Sequence, residues 1–259
     1  MKRLCLILTL TAMVATPAFS QQSAPEIPFE SLPRPLKYSP DMNLGEILGI
    51  AVNSVGHIVI LNHPGSANQG PIWSNSTTQL LEFDQDGYYV GEIGKGVYGI
   101  AYAHQVRFDD EDNLWVVDKA ANTVIKFDPD GYVSMNLGRR EEGYHGDVEL
   151  PNQREARAVG GYFNGPTDVA WDPDGNIFVS DGYVNSRMVK FDMNGNFLMD
   201  WGSYGSDIGQ FNLPHTMQAD REGNIYVGDR SNSRIQVFDS DGNFLRILLM
   251  DVLYPADYQ

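Results

Sequence analysis

Cysteine is almost missing from this 259-residue chain, which has one, Cys5. A single thiol beside the N-terminus builds no disulfide framework, and it lies in a segment read below as removed, so thiol catalysis is excluded as well. Basic residues are scarce: 18 Lys and Arg face 34 Asp and Glu, for a formal net charge of −16. So acidic a surface argues against nucleic acid or anionic lipid as partner and favours cations or cationic ligands, while serving equally well as the solubilising surface of an exported protein. There is one long apolar run, Leu4 to Ala15. Lys2 and Arg3 precede it and Ala18-Phe19-Ser20 follows before Gln21, the pattern of a signal peptide over residues 1–20 and not of a membrane span. A buried first strand or helix is the competing reading. Cleavage leaves a secreted or periplasmic chain without cysteine, whose formal charge falls from −16 to −18 with the loss of Lys2 and Arg3.

Helical periodicity is absent too, and a repeat stands in its place. Asp174-Gly175-Asn176-Ile177-Phe178-Val179-Ser180-Asp181 returns as Glu222-Gly223-Asn224-Ile225-Tyr226-Val227-Gly228-Asp229, and the Asn185-Ser186-Arg187 run to Asp192 returns as Asn232-Ser233-Arg234 to Asp239. Gly175 and Gly223 are 48 positions apart, a period in the range of propeller blades. Apolar residues alternate within each short run, and Asp/Asn/Gly clusters that suit tight turns separate the runs. The pattern predicts an all-β chain with about four short strands per repeat, a β-propeller whose blades pack radially and so protect their edges.

The turn Phe-Asp-x-x-Gly recurs at Phe83–Gly87, Phe127–Gly131, Phe191–Gly195 and Phe238–Gly242. Four blades are therefore legible, over residues 44–93, 98–138, 162–202 and 210–250, within a propeller spanning 44–259. A Pro-rich lead over 21–43 is expected to lie along the first or last blade, and the polar stretch 139–161 is long enough to form a rim loop. Four repeats fit a closed four-bladed ring, with strands near residue 50 packed on those near 245, or a truncated six-bladed propeller. No fifth turn signature follows residue 250, which favours truncation.

Aligned on the Asn that opens each second strand, His104 and His215 share one slot, nine positions before Asn113 and Asn224. Thr167 and Leu48 hold that slot in the third and first repeats. The slot begins the strand nearest the axis, at the same rim as the turns that follow the second strands: Asn62-His63, Lys119, Gly182-Tyr183 and Arg230. Imidazoles converging on an axis match a zinc or similar divalent site, and a catalytic site adds a third ligand and an open position. The slot equally suits residues that line a wet channel or bond backbone carbonyls. Arg187 and Arg234 recur in register and are expected to bridge blades through Asp or carbonyl partners. Tyr183 and Arg230 do not recur, so the repeat does not account for them. His57 and His145 are expected at the surface.

Pro166-Thr167-Asp168-Val169-Ala170, Val179 through Arg187, Trp201-Gly202, Gly209 through His215 and Asp229-Arg230 carry a resemblance. Over roughly residues 98–245 the chain resembles NHL-repeat propellers, and among them looks most like the peptidyl-α-hydroxyglycine α-amidating lyases. That resemblance implies cleavage of a small peptide or similar α-hydroxy amide to an amide and glyoxylate. It also implies His104 and His215 as two of three zinc ligands, Tyr183 as the catalytic group that takes the hydroxyl proton when ionised, and Arg230 as the carboxylate holder. The third zinc histidine and the acidic residue implied for a structural calcium belong to a final blade missing here. Asn62-His63-Pro64 stands where a second arginine is expected, and Val184 where a disulfide cysteine is. Two functions are thus in play: a zinc-assisted carbon–nitrogen lyase, and a non-catalytic extracytoplasmic scaffold binding a protein, peptide or glycan at its rim.

Overall fold

The computed structural model describes residues 27–64, 78–139 and 160–249, and divides the chain into Met1–Pro33 and Arg34–Gln259. In the first unit the described residues 27–33 carry no helix or strand. The signal-peptide reading, His145 and most of the 139–161 stretch fall outside the described residues.

The second unit holds four four-stranded antiparallel sheets, each a meander in chain order. The first is β1 (Glu46–Val52), β2 (Ile58–His63), β3 (Gln79–Phe83) and β4 (Tyr89–Ile93). The second is β5 (Ala103–Phe108), β6 (Leu114–Asp118), β7 (Thr123–Phe127) and β8 (Val133–Gly138). The third is β9 (Asp168–Trp171), β10 (Ile177–Asp181), β11 (Arg187–Phe191) and β12 (Phe197–Trp201). A short parallel pair, β13 (Ser203–Tyr204) with β14 (Gln210–Phe211), leads to the fourth: β15 (Pro214–Ala219), β16 (Ile225–Asp229), β17 (Arg234–Phe238) and β18 (Phe244–Leu249). Among the described residues there is no α-helix.

The recurring Asp of Phe-Asp-x-x-Gly is what makes the outer turns recur. In the first copy Asp84 Oδ1 accepts the amides of Asp86 and Tyr88, while Gly87 takes φ +82°, a conformation that costs glycine little. Asp128, Asp192 and Asp239 repeat these bonds.

Both faces of the inner strands are buried, because alternate side chains point at successive blades. Leu114 and Val116 of β6 pack with Val59 and Leu61 of the first sheet, whereas Trp115 and Val117 pack with Val169, Ile177 and Val179 of the third. Phe178 then faces Met217, Ile225 and Val227 of the fourth. On the far side of the first sheet, Leu36, Met42 and Leu44 of the lead cover Ile60, Leu81 and Phe83. The sheets pack in series, with β1 on β5, β5 on β9 and β9 on β15. Among the described residues no packing comparable to that of β1 on β5 joins β1 to β18, where a closed four-bladed ring would have it.

One polar cluster ties the inner strands together. Asp168 of β9, fully buried, accepts a bidentate pair from Arg107 of β5, both bonds 2.7 Å, and further bonds from Thr216 Oγ1 and the Met217 amide of β15, both 2.9 Å. Arg107 continues to the Met217 carbonyl and Gln218 Oε1, each at 3.1 Å. Removing one partner of such a pair strands a buried charge, so Asp168→Ala is expected to lose about 3–5 kcal/mol in urea unfolding. A loss under about 1 kcal/mol, the size of an exposed pair, contradicts this role.

Candidate active site

The two histidines occupy β-bulges. β5 pairs with β6 at Ala103↔Asp118 and next at Gln105↔Val117, which leaves His104 outside the ladder. β15 pairs with β16 at Pro214↔Asp229 and next at Thr216↔Gly228, which leaves His215 outside it. A bulged residue escapes strict strand alternation and its side chain is re-aimed.

The third sheet delivers the tyrosine. Four residues separate the paired ends Asp118↔Thr123 and Asp229↔Arg234, but five separate Asp181↔Arg187. All three turns close on a left-handed residue, Asn122 (φ 56°), Ser186 (51°) or Ser233 (51°), so the longer turn carries its extra residue beside Tyr183. A Cβ on Gly182 would stand 1.9 Å from the Pro214 carbonyl oxygen, so only glycine lets this turn press against the fourth sheet.

These devices converge. Tyr183 Oη lies 3.0 Å from His104 Nε2 and 3.3 Å from His215 Nε2, and the imidazole centroids are 4.7 Å apart at 80°. His104 Nδ1 sits 3.0 Å from the Thr167 carbonyl, which can only accept, so Nδ1 carries the proton and Nε2 accepts from the phenol. Thr167 is itself fixed, with Oγ1 2.8 Å from the Pro214 carbonyl and 2.6 Å from Ser180 Oγ. Burial pulls the His104 pKa down to about 4, with the neighbouring His215 and Lys119 charges adding to the shift. Burial and then the Arg230 charge lower His215 as well. The Tyr183 phenol is raised by burial, and Arg230 works against that shift. At neutral pH the centre therefore holds two neutral imidazoles and a protonated phenol.

The first two sheets add a second group of side chains at the same rim. His63 is buried with neither ring nitrogen hydrogen-bonded, and its ring lies 4.0 Å from that of Tyr102. Tyr102 donates to Glu46 Oε2 at 2.8 Å. The Lys119 ammonium sits 5.0 Å from the Tyr102 ring centroid and 5.1 Å from that of Tyr183.

The donor set fits a divalent ion in part. Two neutral Nε2 atoms face one point, and the His104 Nδ1 bond to a backbone carbonyl is the outer contact that ligating histidines normally have. Among the described residues no third His, Cys, Asp or Glu joins them.

The remaining sequence candidates lie elsewhere. Arg187 binds Asp181, Asp200 and the Tyr162 carbonyl, and Arg234 binds Asp229 and the carbonyls of Ser206, Asp207 and Gln210. Each thus ties its blade to the connection entering that blade, which corrects the expectation that they bridge neighbouring sheets. His57 pairs with Glu82 at 2.7 Å.

Residues 163–191 and 211–238 match the NHL repeat. The probable peptidyl-alpha-hydroxyglycine alpha-amidating lyase of Caenorhabditis elegans is 29% identical over 220 residues, covering 78% of this chain and 58% of that protein. Peptidyl-glycine alpha-amidating monooxygenase A of Xenopus laevis is 32% identical over 230 residues, covering 80% of this chain and 23% of that protein. The chain is an NHL-repeat propeller similar to the amidating lyases. It spans little more than half the length of the nematode relative and under a quarter of the frog one. A streptogramin B lyase structure shares the propeller's fold, with TM-score 0.56 and 13% identity over 82% of this chain and 57% of that one.

Sequence reasoning brought His104, His215, Tyr183 and Arg230 to one rim, but it missed Thr167 as the group that orients His104. Thr167 stands in the histidine slot of the intervening blade, and that position was the available signal.

The depressed histidines set a sign for pH. A folded pKa near 4 against an ordinary 6.5 means that the unfolded chain binds the extra proton first, so His104 contributes stability above pH 6.5 that is lost as pH falls towards 4. The metal-free propeller is expected to lose more unfolding free energy between pH 7 and 4.5 than its His104→Asn variant. Parallel profiles contradict the buried neutral imidazole.

Proposed function

We propose that the protein is an exported lyase cleaving the carbon–nitrogen bond of a peptidyl-α-hydroxyglycine or similar α-hydroxy amide, releasing an amide and glyoxylate. The observation that carries this reading is the phenol of Tyr183 held between two neutral imidazoles, with the Arg230 guanidinium close enough to act on its pKa. The similarity to named amidating lyases supports the reaction class. The signal-peptide pattern of residues 1–20, with Lys2 and Arg3 ahead of the apolar run Leu4 to Ala15, supports export.

A cavity of about 620 Å³ beside His215 and Arg230, with Met217 and Tyr226 among its walls, is of a size that admits the end of a small peptide. Arg230 is exposed and, among the described residues, its guanidinium has no partner, so it is free to hold a carboxylate through two parallel hydrogen bonds. His104 and His215 would hold a zinc ion through Nε2, and zinc when bound supplies Lewis acidity that polarises an oxygen and lowers the pKa of neighbouring acids. Tyr183 Oη, as phenolate, takes the proton of the substrate hydroxyl. The carbon–oxygen double bond of glyoxylate forms as the carbon–nitrogen bond breaks, and the electron pair leaves with nitrogen. Tyr183 returns the proton to that nitrogen, so atoms and charge balance with no further reactant. Arg230 favours the phenolate throughout.

The scaffold reading is favoured by one observation, the two-histidine donor set. Glyoxylate release decides between them: purified protein with zinc is given an α-hydroxyglycine peptide. The lyase reading expects glyoxylate, with Tyr183→Phe slowing release by about 10²-fold or more, as loss of a proton carrier does, and His215→Ala abolishing zinc dependence. No glyoxylate with or without zinc leaves the scaffold.

A further inference from the structure

We propose that Lys119 is a second ligand-binding cation, which selects ligands carrying another anionic group besides the carboxylate assigned to Arg230. The inference rests on the lyase reading only for the role of Arg230.

Lys119 and Arg230 occupy one register position. Each follows the aspartate that ends the second strand of its sheet, Asp118 or Asp229, in turns of equal length. His104 and His215 are equivalent in the same two sheets. Sheets two and four therefore each present an imidazole and a cation to Tyr183, which stands on the sheet between them. Around Tyr183 the two sheets are thus locally pseudo-symmetric, each contributing one cation, Lys119 or Arg230.

Lys119 lacks a counter-ion of its own. Its ammonium is half-buried between the Tyr102 and Tyr183 rings, and among the described residues it makes no ion pair. The two carboxylates that bear on it are engaged elsewhere. Asp118 accepts the amides of Ala101, Tyr102, Ala120 and Ala121, and Glu46 accepts the Tyr102 hydroxyl. A half-buried cation lying against two ring faces, whose nearest carboxylates Glu46 and Asp118 are hydrogen-bonded to other groups and not to it, is open to direct pairing with an anion that arrives with the ligand. For a peptidyl substrate whose terminal carboxylate goes to Arg230, that second anion is an acidic side chain on the residue preceding the hydroxyglycine. A chain of net charge −16 repels a more anionic ligand overall, so any such preference has to arise locally.

Two uncleavable probes that lack the hydroxyl test this by calorimetry: N-acetyl-glutamyl-glycine and N-acetyl-glutaminyl-glycine. The wild type is expected to bind the glutamyl probe about tenfold more tightly, the scale of one charge-assisted contact. Lys119→Met removes the preference without weakening the glutaminyl probe, and Lys119→Arg keeps it. Equal binding in the wild type, a preference that survives Lys119→Met, or no binding of either probe overturns the assignment. Glyoxylate release from the glutaminyl peptide in its α-hydroxyglycine form reports on the lyase separately. Release without a glutamyl preference sinks Lys119 alone.

Discussion

A single buried carboxylate holds the centre of this molecule. Asp168 collects Arg107 from one inner strand and Thr216 with the Met217 amide from another, and so fixes the spacing of β5, β9 and β15. Those strands carry His104, Thr167 (one residue ahead of β9) and His215 at their starts. Apolar packing between sheets tolerates small sliding, because side chains of similar size repack. A bidentate arginine pair with two further hydrogen bonds has little such tolerance. The rim geometry, with a phenol 3.0 and 3.3 Å from two imidazoles, depends on spacing of that quality.

The electrostatics of the rim run against those of the whole. The chain is strongly acidic, yet the residues that follow the second strands of two sheets, Lys119 and Arg230, are cations, and His63, whose pKa burial lowers, ends the second strand of another. Glycine in the remaining sheet lets Tyr183 enter. Lys119 and Arg230 each follow a buried aspartate but do not pair with it: Asp118 accepts four backbone amides, and Asp229 accepts the Asn212 amide and the Arg234 guanidinium. Burial keeps the imidazoles neutral and the phenol protonated until a cation or an anionic ligand changes the balance. An apparently inert resting state is thus the expected state of a site that works only when loaded.

The repeat was legible because its turns are made by residues with one job each. Asp84 and Gly87 and their counterparts close the outer turn by local hydrogen bonds, so spacing alone revealed four sheets and placed His104 with His215. The bulges that aim those two residues were not legible, since a bulge is a mismatch between two strands and neither strand shows it alone. The longer turn at Tyr183 could be counted from Asp181 to Arg187, yet its meaning required the close approach of Gly182 to Pro214. The Arg107–Asp168 pair left no trace in the alignment, because Gln105 and Thr216 fill the Asp168 position in the neighbouring blades. Recurrence likewise marked Arg187 and Arg234 as structural, with the expected Asp and carbonyl partners, but those partners belong to the arginine's own blade and to the chain entering it.

The claim on which all this turns is that the imidazoles of His104 and His215 share the hydroxyl of Tyr183. Nitrogen-15 NMR of the histidine rings at pH 6.5 reads that directly. The account predicts two neutral rings, His104 protonated on Nδ1, and a displacement of both Nε2 resonances when Tyr183 is replaced by Phe. Charged rings, or Nε2 resonances indifferent to that replacement, would contradict it.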